Sequence, residues 1–347
     1  MIAEALLMAT TVWYVPGWMR TEKPREDVMT AMTNAFPGAK IEFKAWDGDR
    51  LVWPHAVDSA DKESWRLAFE VATLPPEEFA EGCAEILKRC FSLMDLTTLK
   101  NNDTVASVTE LVAKVNALES EYPDYPLPAS VCVYPNFAAT VRAERNNPEL
   151  HVTTVAGCFP TSQSFIEVKC RECELAVENG ADEIDIVLAL NSFLAGDEQS
   201  AFDEICAIRR TVDAAGNALG RRVILKVILE TGLLGTAERI ARASYLAMEA
   251  GADFIKTSTG KVDVNATPQA AFVMCSCIKA FYEKTGRKVG FKAAGGISTA
   301  KDALCYYLIV RELLGEEWLN RNLFRFGVSR LGNSLISAVE NTEVHFF

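Results

Sequence analysis

Histidine is scarce in this chain: three occur in 347 residues, His55, His151 and His345, far apart and without the short spacing of a helical zinc site. A histidine-built metal centre is therefore excluded, and no metal is expected. Basic residues are outnumbered as well, 35 against 47 acids, and the net charge of −12 argues against a large nucleic-acid surface. A small cationic pocket for an anionic metabolite stays compatible with it. No run of about 18 apolar residues suggests a membrane span. The opening stretch lacks a basic start and carries Glu4 inside its apolar part, which argues against a secretory signal. Ten cysteines in a chain this long make no dense disulfide framework, so the reading is a reduced, cytoplasmic protein. No G-x-G-x-x-G follows the first strand of either segment described below, and no G-x-S-x-G elbow follows Tyr14-Val15-Pro16-Gly17-Trp18. Neither a dinucleotide fold nor a hydrolase is inferred.

What is present is a globular composition, 49% hydrophobic and 24% charged. Five of the six tryptophans, Trp13, Trp18, Trp46, Trp53 and Trp65, fall in the first 65 residues and mark a separate unit. Within it Thr10 to Val15 and Lys40 to Trp46 read as strands, and Arg25 to Phe36 and Asp61 to Val71 as helices. Thr73-Leu74-Pro75-Pro76 then punctuates the chain, which divides into a tryptophan-rich α/β-like extension over 1–78 and a second unit over 79–347.

From Cys83 onward the pattern is regular. Strand candidates lie at Leu93 to Leu96, Val131 to Tyr134, Val152 to Val155, Glu183 to Val187, Val223 to Leu229, Phe254 to Thr257, Val289 to Ala293 and Phe324 to Phe326. A segment of helical spacing follows each, such as Val105, Val108, Val112 and Val115 after the first. Eight βα units in about 260 residues match a (β/α)8 TIM barrel of the α/β class; an open doubly wound sheet is the runner-up.

The strongest chemical signal is lysine inside strand-like runs: Val-Ile-Leu-Lys226-Val-Ile-Leu, Asp-Phe-Ile-Lys256-Thr-Ser-Thr and Val-Gly-Phe-Lys292-Ala-Ala-Gly-Gly. Alternation puts Ile224, Lys226, Ile228 and Glu230 on the lumen side of one strand, with Val223, Leu225, Val227 and Leu229 toward the helices. Burial and a neighbouring ammonium both lower a lysine pKa and leave an amine able to attack a carbonyl, a role that suits Lys256 beside Lys292. A single lumen lysine is more often a salt-bridge partner; three on late strands favour chemistry. Asp185 projects inward from Glu183-Ile184-Asp185-Ile186, as a proton-handling group or a salt-bridge partner, and Asp95 carries the same two readings. After the last three strands come Gly260 and Lys261, Gly295 and Gly296, and Gly327, Val328 and Ser329, where backbone N–H groups can approach a phosphate. Any one glycine pair alone would read as a turn. Cys170 and Cys173 fall in a helical stretch, Ser164 to Asn179, and read as ordinary thiols. Cys132 can face the lumen but lacks a histidine to activate it.

At these residues the chain resembles the deoxyribose-phosphate aldolases, class I Schiff-base enzymes. The resemblance runs from about Leu93 to Ser329 and includes Met-Asp-Leu-Thr-Thr-Leu, Val-Cys-Val-Tyr-Pro, Gly-Ala-Asp-Glu-Ile-Asp-Ile-Val, Leu-Lys-Val-Ile-Leu-Glu-Thr-Gly, Gly-Ala-Asp-Phe-Ile-Lys-Thr-Ser-Thr-Gly-Lys and Phe-Arg-Phe-Gly-Val-Ser. It implies reversible cleavage of 2-deoxy-D-ribose 5-phosphate to D-glyceraldehyde 3-phosphate and acetaldehyde, with no cofactor. Lys256 would be the nucleophile, Lys292 its electrostatic neighbour, and Asp185 and Lys226 the proton handlers. Gly260, Lys261, Gly295, Gly296, Gly327 and Ser329 would hold phosphate, with Asp95, Thr97 and Cys132 lining the substrate site. Family members are often dimers, so the resemblance allows a homodimer although nothing in the sequence fixes the assembly, and it implies a phosphorylated sugar and acetaldehyde as small-molecule partners. Three positions depart from the family pattern: Ala293 for a proline, Ser298 for an arginine, and Arg330 for a small residue. Arg330 could supply the cation lost at Ser298. The chain ends Val-His-Phe-Phe, where some members end in a proton-transferring tyrosine. A related lysine aldolase for another sugar phosphate and a non-catalytic sugar-phosphate-binding barrel are the alternatives.

Overall fold

The computed structural model describes residues 84–347 with their side chains and, before them, the backbone of residues 9–15, 40–47, 65–72 and 76–83. Strands β1 (Ala9–Val15), β2 (Lys40–Asp47) and β3 (Trp65–Ala72) form an antiparallel sheet in the order β1-β3-β2. The first two match their expected positions. The helix expected over Asp61 to Val71 does not form there, because Trp65, Leu67, Phe69 and Val71 alternate with Arg66, Ala68, Glu70 and Ala72 at the period of a strand. The expected helix at Arg25 to Phe36 lies outside the described residues.

Helix α1 (Pro76–Ser92) leads into a closed parallel barrel: β4 (Met94–Thr97), β5 (Ser130–Val133), β6 (His151–Val155), β7 (Glu183–Val187), β8 (Ile224–Ile228), β9 (Phe254–Lys256), β10 (Gly290–Ala294) and β11 (Phe324–Val328), with β11 pairing back onto β4. Each strand falls within one or two residues of its sequence-based position, and the (β/α)8 barrel is the fold. Helices α2 (Val105–Glu121), α3 (Ala138–Glu144), α4 (Ile166–Glu178), α5 (Leu190–Leu194), α6 (Glu198–Ala218), α7 (Thr231–Leu234), α8 (Ala237–Glu249), α9 (Pro268–Thr285), α10 (Ala300–Leu314) and α11 (Leu331–Glu340) complete the connections.

Alternation along the strands sorts apolar from polar. Val131, Val152, Ile184, Ile186, Leu225, Val227, Ile255, Phe291 and Phe326 are buried in the main core against the helices, each worth about 1.5–3 kcal/mol. The residues between them face the lumen. Thr104, Thr236, Thr267 and Thr299 cap the helices that follow four of the strands, each accepting a backbone N–H with its side chain, which contributes about 1 kcal/mol apiece and sets where each mouth loop ends. At the lumen floor Gly290 makes room for a ring: a Cβ there would sit 2.3 Å from Phe254.

Candidate active site

Register brings the polar residues together. Lys256 of β9 lies opposite Lys292 of β10, and Asp185 of β7 opposite Lys226 of β8. Asp185 is the hub: Oδ2 accepts from both Lys256 Nζ and Lys292 Nζ at 2.8 Å, and Oδ1 accepts from Lys226 Nζ at 2.8 Å. Barrel closure adds Asp95, which pairs with Lys292, lies 3.5 Å from Lys226 and accepts from Arg325 at 2.5 Å. Glu183 pairs with Lys226 and takes two bonds from Arg325, at 2.7 and 3.1 Å. Ser130 and Thr153 supply further hydrogen bonds to Asp95 and Glu183, at 2.7 and 3.0 Å. All these charged side chains are buried, and only Lys256 shows any exposure, 4%.

The three lysines respond differently to the same interior. Burial disfavours each ammonium, but Lys226 draws on Asp185 and Glu183, and Lys292 on Asp185 and Asp95, so both are held above the ordinary lysine value. Lys256 has only Asp185, and burial together with the Lys292 charge carries it below that value. Burial also opposes ionisation of Asp185, yet Lys226, Lys256 and Lys292 outweigh it and keep the carboxyl far below the usual range. The arrangement presents one amine whose charged form is disfavoured beside groups whose charged forms are favoured.

Cys132 is buried in the lumen with Leu99 and Val155, and burial pushes its thiol up, against nucleophilic use. Thr97 turns its hydroxyl back to the Asp95 carbonyl at 2.8 Å. Gly260, Gly295 and Gly296 have positive φ, of 80°, 85° and 80°, and follow neighbouring strands β9 and β10. Gly327 serves clearance: a Cβ there would meet Lys292 Cε at 3.1 Å and Ala294 Cβ at 2.8 Å. Lys261 reaches across the mouth, its Nζ donating to Leu99 O at 2.6 Å. Ser298 donates its backbone N–H to Asp302, and Ser329 and Arg330 are exposed where α11 begins. The terminal Phe346 and Phe347 pack among helices, against Tyr122 and Phe91. Cys170 and Cys173 sit on α4 as free thiols. His151 bonds Glu183 at 2.7 Å, while His345 pairs with Glu343 at the surface. Among the described residues no cluster of three histidine, cysteine or acidic side chains could hold a metal.

Sequence reasoning gave no role to Arg325 or Glu183. Their signal was present, an arginine between two phenylalanines and an acid two residues before Asp185, both at inward positions of buried strands.

Barrel and lysine-filled lumen define a class I aldolase. Residues 90–306 match the DeoC/LacD family aldolase description. A Caenorhabditis elegans protein provisionally named deoxyribose-phosphate aldolase is 44% identical over 248 residues, 71% of this chain and 78% of that protein. A Toxoplasma gondii structure of the same provisional name shares the fold at a TM-score of 0.64 and 22% identity, over 76% of this chain and 97% of that one. The deoxyribose phosphate aldolase of Aeropyrum pernix, described as a tetramer, aligns with a TM-score of 0.56 at 25% identity, over 76% of this chain and 93% of that one. The chain belongs to the DeoC/LacD aldolase family.

Proposed function

We propose that this aldolase cleaves 2-deoxy-D-ribose 5-phosphate reversibly to D-glyceraldehyde 3-phosphate and acetaldehyde through a Schiff base on Lys256. The observation that carries the lysine assignment is that, of the three buried lumen lysines, Lys256 alone is pushed below its ordinary pKa. The substrate rests on the named relatives and on the glycine-rich loops beside the mouth.

The neutral Lys256 amine adds to the aldehyde carbon, and the carbinolamine loses water to give a protonated imine. Removal of the C3 hydroxyl proton breaks the C2–C3 bond, and its electron pair flows into the imine to form an enamine. Glyceraldehyde 3-phosphate leaves. Protonation at C2 and hydrolysis with one water return acetaldehyde and the free amine. Asp185 and Lys226 handle these protons through a water, which takes the proton from the C3 hydroxyl and returns one to C2, while Lys292 stays charged and acts on Lys256 electrostatically. Backbone N–H groups at Gly260, Gly295, Gly296 and Ser329, with the Lys261 ammonium, hold the phosphate. No step calls for a cofactor. The departures at Ser298 and Arg330 favour one second reading, a related sugar phosphate as the substrate.

The tryptophan-rich stretch 1–78 is assigned as a unit distinct from the barrel over 79–347 on composition alone. Self-association into a homodimer and a cytoplasmic location complete the reading. No described helix is long and apolar enough to cross a membrane.

Borohydride reduction in the presence of acetaldehyde, followed by peptide mass analysis, tests the mechanism. A reduced two-carbon adduct at Lys256 is expected, and its absence would sink the assignment. Turnover of 2-deoxyribose 5-phosphate against a panel of other sugar phosphates tests the substrate.

A further inference from the structure

Glu230 is a buried acid that the mechanism does not use. It follows β8 at φ 57° and ψ 60°, the left-handed region that glycine adopts freely and other residues rarely. Such a conformation persists where the surroundings overdetermine it, and it clusters at functional sites. Here the surroundings are identifiable. The Glu230 carbonyl accepts from Leu233 and Leu234 N–H at 2.9 and 3.2 Å, and Thr231 N–H is tied to Thr257 O at 2.9 Å. Continued strand alternation would have left Glu230 among the lumen residues; the left-handed turn instead delivers its carboxylate to the loop after β9.

There it takes two bonds from one residue, the Thr259 N–H at 3.2 Å and the Thr259 hydroxyl at 2.5 Å. With its O–H donated to Glu230, the Thr259 hydroxyl oxygen accepts the Lys261 N–H at 3.1 Å. Two residues earlier Thr257 clamps the same segment to the end of β10, with its hydroxyl donating to Ala294 O at 3.1 Å and accepting Ala294 N–H at 2.9 Å. Between and beyond these anchors Gly260 has positive φ with open space above it, and Lys261 extends over the mouth. The loop from Lys256 to Lys261 is therefore fixed at one end by β10 and at the other by Glu230.

We propose that Glu230, acting through Thr259, is the positioning residue that presets the 257–261 loop to receive the substrate's phosphate; this rests on the phosphorylated-sugar reading above. Its carboxylate bonds Thr259 and takes no part in the proposed Schiff-base steps. It holds the loop in an anion-receptive shape before ligand arrives, so that binding need not spend interaction energy ordering it. A purely structural anchor would, when lost, weaken handling of every substrate. A phosphate-loop positioner, when lost, weakens the phosphorylated substrate selectively.

The experiment compares 2-deoxyribose 5-phosphate with unphosphorylated 2-deoxyribose in wild type, Glu230→Ala, Glu230→Gln and Thr259→Val. Glu230→Ala is expected to raise KM for the phosphorylated sugar about 10-fold, with kcat and the kcat/KM for 2-deoxyribose changed by less than about 3-fold. Glu230→Gln, which keeps an oxygen for the Thr259 N–H, is expected to restore most of the preference. Equal losses on both sugars, or no change on either, would overturn the proposal. Should Glu230→Ala fail to fold, Thr259→Val removes both hydroxyl bonds, to Glu230 and from the Lys261 N–H, keeps the Thr259 N–H bond to Glu230, and is expected to show the same selective loss; equal losses there reject the idea. Wild-type turnover of the phosphorylated sugar separately tests the function. If that is absent, calorimetric binding of inorganic phosphate to wild type and variants still decides the role of Glu230: a weakening of about 10-fold supports it, and unchanged binding rejects it.

Discussion

Arg325 and Lys256 occupy the same lumen, both buried and both on inward positions of strands that flank β10, and they differ in how many carboxylates bond them. Arg325 bonds Asp95 once and Glu183 twice. Lys256 bonds Asp185 alone, and Asp185 is already shared with Lys226 and Lys292. The buried layer holds four cations, Lys226, Lys256, Lys292 and Arg325, against three carboxylates, Asp95, Glu183 and Asp185. One cation must go short, and geometry assigns the shortage to Lys256. Around Arg325 the lumen is a compensated ion network that holds strands together; around Lys256 it is the same chemistry left one carboxylate short, which is the condition that the proposed nucleophile requires.

Removing the under-compensated member gives the largest effect. Lys256→Met is expected to lower turnover by at least about 10³-fold and to abolish the acetaldehyde adduct while leaving the fold intact, as circular dichroism would show. Retained turnover would erase the distinction between the two cations.

Breaking the compensated member instead targets stability. Arg325→Met leaves Asp95 and Glu183 buried with less charge to balance them, and a loss of about 3–5 kcal/mol in urea unfolding is expected. The same contrast appears with acid. Asp95, Glu183 and Asp185 are held below their ordinary values in the folded chain, so the stability they contribute is complete above the unfolded carboxylate range of about 4 and is lost as pH falls below it.

A third measurement sharpens the comparison at Lys256 itself. Because its folded pKa is depressed, kcat/KM is expected to rise with pH and level off below the ordinary lysine value of about 10.4. Lys292→Met removes a neighbouring positive charge and leaves Asp185 more fully to Lys256; both changes favour the ammonium, so the rising limb should move to higher pH. A limb that stays in place would show that Lys292 does not tune Lys256.

The smallest effect is expected at the rim. Arg330→Ala should raise KM for the phosphorylated substrate by about 3-fold, since an exposed cation is screened by water. No change in apparent affinity would remove Arg330 as a substitute for the arginine absent at Ser298.

The barrel strands were legible because they are short buried runs, several of them β-branched or aromatic around a polar inward residue, as in Ile224–Ile228 around Lys226. At Trp65–Ala72 the same period-two rule was available, yet that stretch also carries the charged ends and alanines of a helix, and strand pairing with β1 and β2 decided it. Lys226, Lys256, Lys292 and Asp185 stood out because charge inside an apolar run is costly without a purpose. Arg325 and Glu183 were visible as letters but not as partners, being 142 residues apart. The left-handed turn at Glu230 had no glycine to announce it.

By itself the sequence determined the eightfold alternation, the three inward lysines and the family, because period, burial preference and motif are local properties. Which lysine gives up its proton was decided only by the tertiary structure. A pKa depends on charges within a few ångströms, and closure of β11 onto β4 and β10 brings Asp95 to Lys292 across 197 residues of chain. That closure satisfies Lys292 and Arg325, and leaves Lys256 as the amine without a carboxylate of its own.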